Sequence, residues 1–152
     1  MILYLLIVQG LKNSGTTAKL LTAEVLLTRD EIPKQGKVLD DVVGIETYFD
    51  ENNPKGKHII DLYKEEYGKD NTYPTDLVAI YDLVFMYKEA YEKVGSNDTD
   101  KISEYLYTHN NYDGASGKVT FDRNGDVISL PYAIQRIKDK KVSLIETYTV
   151  QQ

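Results

Sequence analysis

The segment PTDLVAIYDLVFMYKEAYEKV, residues 74–94, constrains the fold more than any other stretch. Leu77, Ile80, Tyr81, Val84, Tyr87, Tyr91 and Val94 recur at three- and four-residue steps, with Leu83 beside them. That is the apolar stripe of an amphipathic helix. Pro74 stands where a first helical turn tolerates proline, and Gly95 where a left-handed residue ends a helix. A helix of this span is roughly 30 Å long at about 1.5 Å per residue. It cannot bury its stripe alone, so the rest of the chain must supply a second layer.

The flanking sequence alternates between helical and strand periods. Leu3, Leu5, Leu6, Val8 and Leu11 predict a largely buried helix over residues 3–14, capped by Gly15. TTAKLLT, residues 16–22, predicts a strand, followed by a loop through Ala23-Glu24. Thr28 and Glu31 form a capping box for a short helix near 29–36. Val42 to Phe49 predicts a second strand. Asn53-Pro54 starts a helix that ends at Gly68 and turns Ile59, Ile60, Leu62, Tyr63 and Tyr67 toward a core. Another helix is expected over 99–108. Residues 117–121 then enter the turn Asp122–Asp126, and strands 131–137 and 142–149 make a hairpin across Asp139–Lys141. This order is that of an α/β fold.

Several function classes drop out on composition. The formal charge of −6 and the lack of a basic run longer than two residues argue against nucleic-acid and membrane-surface binding. With no cysteine, thiol nucleophiles, disulfides and thiolate metal sites are excluded. His58 and His109 lie in different predicted elements, so no histidine metal set is expected. The opening MILYLLIVQG lacks a basic region and a small-residue cleavage site. It reads as the start of a helix rather than a signal peptide, and is far shorter than the roughly 20 residues that span a bilayer.

The motifs that suggest chemistry have plainer readings. In DRNGD, residues 122–126, glycine is fourth and position twelve is Ala133, so a turn fits better than a calcium loop. Gly114, Gly117 and Gly125 lack the lysine and the strand-to-helix setting of a phosphate loop. Neither Ser103 nor Ser116 sits in a nucleophile-elbow pattern. Asp40-Asp41 and Glu65-Glu66 lie among lysines on solvated faces. The 13 tyrosines read as amphipathic core residues with hydroxyls at the rim. Glu24 differs: it is a lone carboxylate just past a strand, where α/β folds place ligands. No catalytic set and no cofactor site is expected.

Four segments in consistent order resemble the branched-chain amino-acid-binding receptors of ABC transporters, the type I periplasmic binding proteins. LKNSG before AKLLTAEVLL is similar to the family's helix, glycine, strand and Gly-Gly-Asp/Glu loop. VVGIETYFDENNP resembles its crossover strand, and the 74–94 helix carries its Tyr-Asp pair at Tyr81-Asp82. YDGASGKVTFDRNGDV resembles its glycine turn, strand and Asn-Gly-Asp turn. The likeness runs from about Leu3 to Ile145, with Thr22 and Ala23 where the family has loop glycines.

The resemblance implies an α/β, incomplete type I fold with parts of both three-layer lobes and a C-terminal β-hairpin. Residues 1–43 and 128–152 would be a second-lobe remnant, and 44–127 a mostly helical first-lobe remnant. It implies a fragment of an extracytoplasmic receptor that binds a small amino-acid-like solute without catalysis and delivers it to an ABC permease. Glu24 would meet the solute's ammonium, with Asp76 and Tyr48 as further binding residues. A sensory ligand-binding domain and a self-associating truncated protein are the alternatives. Incomplete lobes further imply a homodimer that exchanges strands 131–137 and 142–149.

Overall fold

The computed structural model describes residues 2–23, 32–35, 37–109 and 111–149. Helix α1 (Ile2–Asn13) leads to β1 (Leu21–Ala23), a 3-10 turn (Ile32–Gln35) and β2 (Val43–Thr47). Helices α2 (Pro54–Tyr67), α3 (Pro74–Val94) and α4 (Thr99–Thr108) follow. Strands β3 (Tyr112–Asp113), β4 (Lys118–Val119), β5 (Tyr132–Lys138) and β6 (Lys141–Tyr148) complete the order. The order is mixed α/β with a C-terminal hairpin, as expected. The chain divides into two compact units, Met1–Thr47 with Tyr132–Tyr148, and Tyr48–Pro131 with Thr149–Gln152.

The first unit is built on a four-stranded sheet in the order β1-β2-β5-β6. β1 and β2 are parallel, with Leu21 opposite Val43 and Ala23 opposite Ile45. β5 runs antiparallel to β2, and β6 antiparallel to β5. One face of this sheet carries the core, in which Val8 of α1 meets Ile32, Leu39, Val42 and Ile137. The β5–β6 turn is two residues, Asp139 and Lys140, both at positive φ (49° and 63°). That is the twist a two-residue hairpin needs. The Asp40 carboxylate accepts from the Asp139 N–H at 2.9 Å and anchors the turn. Lys141 therefore belongs to the strand, not the turn.

The second unit is mainly helical. Asn53 caps α2, its Oδ1 accepting from the N–H groups of Lys55 (2.9 Å) and Gly56 (3.4 Å). Its Nδ2 donates to the Gly114 carbonyl at 3.0 Å. Gly68 and Gly95 close α2 and α3 in the left-handed conformation. Phe49, Val78 and Ala115 form the core, with Ile59, Ile60 and Tyr81 packed against it. Asn53→Ala removes the cap and the long-range bond together. It should lower stability by about 1–2 kcal/mol, read as a fall in urea midpoint.

Several further expectations change. The strand over 16–22 shrinks to Leu21–Ala23. The Ala18 N–H bonds the Thr16 hydroxyl at 3.2 Å, a local alternative to the ladder. Of the helix expected near 29–36 the described part is a 3-10 turn, and Thr28 and Glu31 lie outside the described residues. Helix α1 is not largely buried, since Leu3, Leu6 and Leu11 are exposed. Leu62 and Tyr67 of α2 are exposed as well.

The largest change is in α3. Its buried line is Val78, Asp82, Met86 and Ala90, at four-residue steps. Ile80, Leu83, Val84, Tyr87 and Tyr91 of the expected stripe are exposed. The helix is apolar around most of its circumference, so bulk alone did not pick the packed side. The side chosen carries a carboxylate with buried donors to meet.

Candidate functional site

The parallel pair sets the frame. β1 and β2 end at the same edge of the sheet, at Ala23 and Thr47, where open α/β sheets hold their ligands. Glu24 follows β1 directly but lies outside the described residues. Tyr48 follows β2 directly and is half-buried, its N–H donating to the Pro131 carbonyl at 2.8 Å. Asp76 is exposed in the first turn of α3, where a carboxylate suits the positive end of the helix dipole. Among the described residues no hydrogen bond joins Tyr48 to Asp76.

The most elaborate polar arrangement in the second unit surrounds Asp82, which is 2% exposed. Its Oδ1 accepts from the Ala115 N–H at 2.6 Å. Its Oδ2 accepts from the Ser116 N–H at 2.7 Å and the Ser116 hydroxyl at 2.5 Å. Such charge-assisted bonds are short and strong, and they compensate the burial of the carboxylate. Close approach is obligatory here. A Cβ on Gly114 would fall 2.7 Å from Asp82 Oδ1, and one on Gly56 would fall 2.7 Å from the Ala115 carbonyl oxygen.

The same loop is tied to the start of α2. The Lys55 ammonium donates to the Asp113 carbonyl and pairs with the Asp113 carboxylate at 2.9 Å. That hydrogen bond raises the Lys55 pKa and lowers that of Asp113. Burial raises the Tyr112 phenol, with a smaller contribution from the nearby Asp82 charge. Residues 112–119 are thus held by α3 through Asp82 and by α2 through Asn53 and Lys55. Sequence reasoning used Tyr81-Asp82 only as a mark of resemblance. The missed signal was an aspartate in the middle of an apolar helix, which burial permits only when it is hydrogen-bonded.

Little in this arrangement resembles a reaction centre. The Ser116 hydroxyl is committed to Asp82, and Ser103 is exposed on α4. Asp122 accepts from the N–H groups of Asn124 (2.8 Å) and Asp126 (3.0 Å), with Gly125 at φ 90°, so DRNGD is a turn closed on itself. These backbone bonds lower the Asp122 pKa. Among the described residues no three His, Asp or Glu side chains gather as a metal site, and no helix is long and apolar enough to cross a membrane.

Comparison with known proteins follows the same line. No curated protein sequence matches the chain. A leucine-binding protein from Thermotoga maritima superposes with a TM-score of 0.78 at 26% identity, over 95% of this chain and 41% of that one. An ABC-transporter substrate-binding protein from Desulfitobacterium hafniense in complex with Leu gives 0.67 at 21% identity, over 91% of this chain and 39% of that one. A branched-chain amino-acid ABC transporter protein from Thermus thermophilus with bound valine gives 0.69 at 14%, over 97% and 43%. The chain spans about two fifths of the length of these relatives. The periplasmic binding protein model matches residues 4–141, nearly the whole sequence. The chain belongs to the periplasmic binding protein family and carries part of its type I fold.

Proposed function

We propose that the chain is the C-terminal part of an extracytoplasmic receptor that captures an amino acid, or a similar small ammonium compound, for ABC-type uptake. One observation carries this reading: the family match over residues 4–141 coincides with the superposition on a leucine-binding protein. Residues 1–43 and 128–152 would be the second-lobe remnant, and the mostly helical 44–127 the first-lobe remnant. Glu24 would take the solute's ammonium at the strand end, with Tyr48 and Asp76 as lesser contributors. Capture and release need no bond-making residue: differential affinity for the closed form is enough to signal a permease.

The test is calorimetry with free amino acids. The chain alone should bind L-leucine or L-valine weakly or not at all. Joined to the part of the Thermotoga maritima protein that it does not cover, it should bind one of them and return it chemically unchanged. Turnover of the amino acid, or a preference for sugars over amino acids, would overturn the reading.

We further propose that the chain by itself forms a homodimer by exchanging β5 and β6 between copies. Exposed Leu144, Ile145 and Tyr148 support association between copies, since an interface would cover them. Sedimentation at micromolar concentration should give twice the 17.3 kDa monomer mass. A clean monomer would reject exchange.

A further inference from the structure

Helix α1 is apolar on two opposite sides. Val8 and Leu5 face the core of the sheet unit. On the outer side stand Leu3, Leu6, Ile7 and Gly10, which have the spacing of a second helical seam. Leu3 is 67% exposed, Leu6 63% and Ile7 49%. A helix that is apolar all round is normally covered all round. Lys12 is the only charged residue of α1, and its ammonium donates to the Asp40 carbonyl. Gln9 is engaged within the helix, its amide donating to the Asn13 side chain at 2.9 Å. The outer seam therefore holds no charge that has to stay in water.

The seam is also its own complement. An antiparallel pairing about a two-fold axis between Leu6 and Ile7 brings Leu3 of each copy level with Gly10 of the other. It sets Leu6 beside Ile7 at the centre. A Cβ on Gly10 would meet nothing within 4 Å, so the helix has a notch there, and Leu3 is the bulk that fills it. Two-fold pairs need a self-complementary surface of this kind. A lipid surface fits less well. At roughly 18 Å the helix is too short for a bilayer core of about 30 Å. Helices that lie on membranes carry Lys and Arg on their polar side, and α1 has one lysine, already engaged.

We propose that the outer side of α1 pairs antiparallel with the same side of α1 in a second copy of the chain. A seam this short buries less than the roughly 1,200 Å² of a standard interface, so the pairing is weak and concentration-dependent. It is a separate contact from any exchange of β5 and β6, and it depends on no solute.

The chain has no cysteine, so introduced ones report alone. Leu3→Cys and Gly10→Cys are purified separately, mixed at tens of micromolar and treated with a short bis-maleimide. The mixture should give at least fivefold more cross-linked dimer than either variant alone, because like positions lie roughly 10 Å apart along the axis. Leu6→Cys, beside the axis, should join to itself. Adding Gly10→Leu fills the notch and should cut that product at least fivefold. Leucine favours a helix more than glycine does, so circular dichroism and the urea midpoint should show no loss of fold. These products form whether or not β5 and β6 are exchanged. A Leu3→Cys product with itself, no product at all, or a Leu6→Cys product that Gly10→Leu leaves unchanged would each overturn the proposal. So would maleimide labelling at position 6 that slows only on adding phosphatidylcholine–phosphatidylglycerol vesicles. The same holds if it slows only on adding the part of the Thermotoga maritima protein that this chain does not cover.

Discussion

Asp82→Ala should destabilise the helical unit by about 3–5 kcal/mol, since it strands the buried donors of Ala115 and Ser116 at roughly 1–3 kcal/mol each. The donors cannot turn to water, because Asp82, Ala115 and Ser116 are all buried. A loss of that size is a large part of the roughly 5–15 kcal/mol that holds a domain together. Urea denaturation followed by circular dichroism should show a much lower midpoint, or an unfolded variant. Asp82→Asn should recover only part of the loss, because an amide turns a donor toward donors. Exposed Asp76→Ala, on the same helix, should stay within about 0.5 kcal/mol of the parent. Equal effects at positions 76 and 82 would refute the assigned role of Asp82.

Glu24→Gln should weaken solute binding by about 2–3 kcal/mol, the scale of truncating a charged hydrogen-bond partner. That corresponds to roughly a 30- to 150-fold rise in Kd. The size follows from chemistry: a carboxylate meeting an ammonium away from bulk water forms a charge-assisted bond that a neutral amide cannot match. The effect should vanish for a solute without the ammonium, and folding stability should be unaffected. A substitution that acted through the fold would instead move the urea midpoint.

The punctuation of the fold was legible in the sequence and its packing was not. Asn53-Pro54, Gly68, Pro74, Gly95 and the Asn-Gly turn mark element ends through local backbone chemistry, which needs no tertiary partner. Helix α3 shows the limit. Its bulky positions 80, 84, 87 and 91 gave the pattern, while the packed line runs through Asp82 and Ala90. That choice is made by the donors of Ala115 and Ser116, more than thirty residues away. β1 is short for a related reason: a strand extends only as far as it finds a partner, and Thr16 offers its neighbours a local bond instead. For the site, the sequence supplied the place of Glu24 beyond a strand and of Tyr48 beyond another. It could not supply which side chains a solute touches, since that is set by long-range packing.

The proposed receptor would take its solute's ammonium through Glu24 of this chain. The most direct measurement is a calorimetric titration of the chain joined to the uncovered part of the Thermotoga maritima protein. L-leucine and its des-amino analogue, 4-methylpentanoate, are titrated into parent and Glu24→Gln. The account predicts binding of leucine by the parent, a roughly 30- to 150-fold weaker Kd in the variant, and no binding of the analogue by either. Leucine binding that Glu24→Gln leaves unchanged, or a folded receptor that binds both compounds equally, would contradict it.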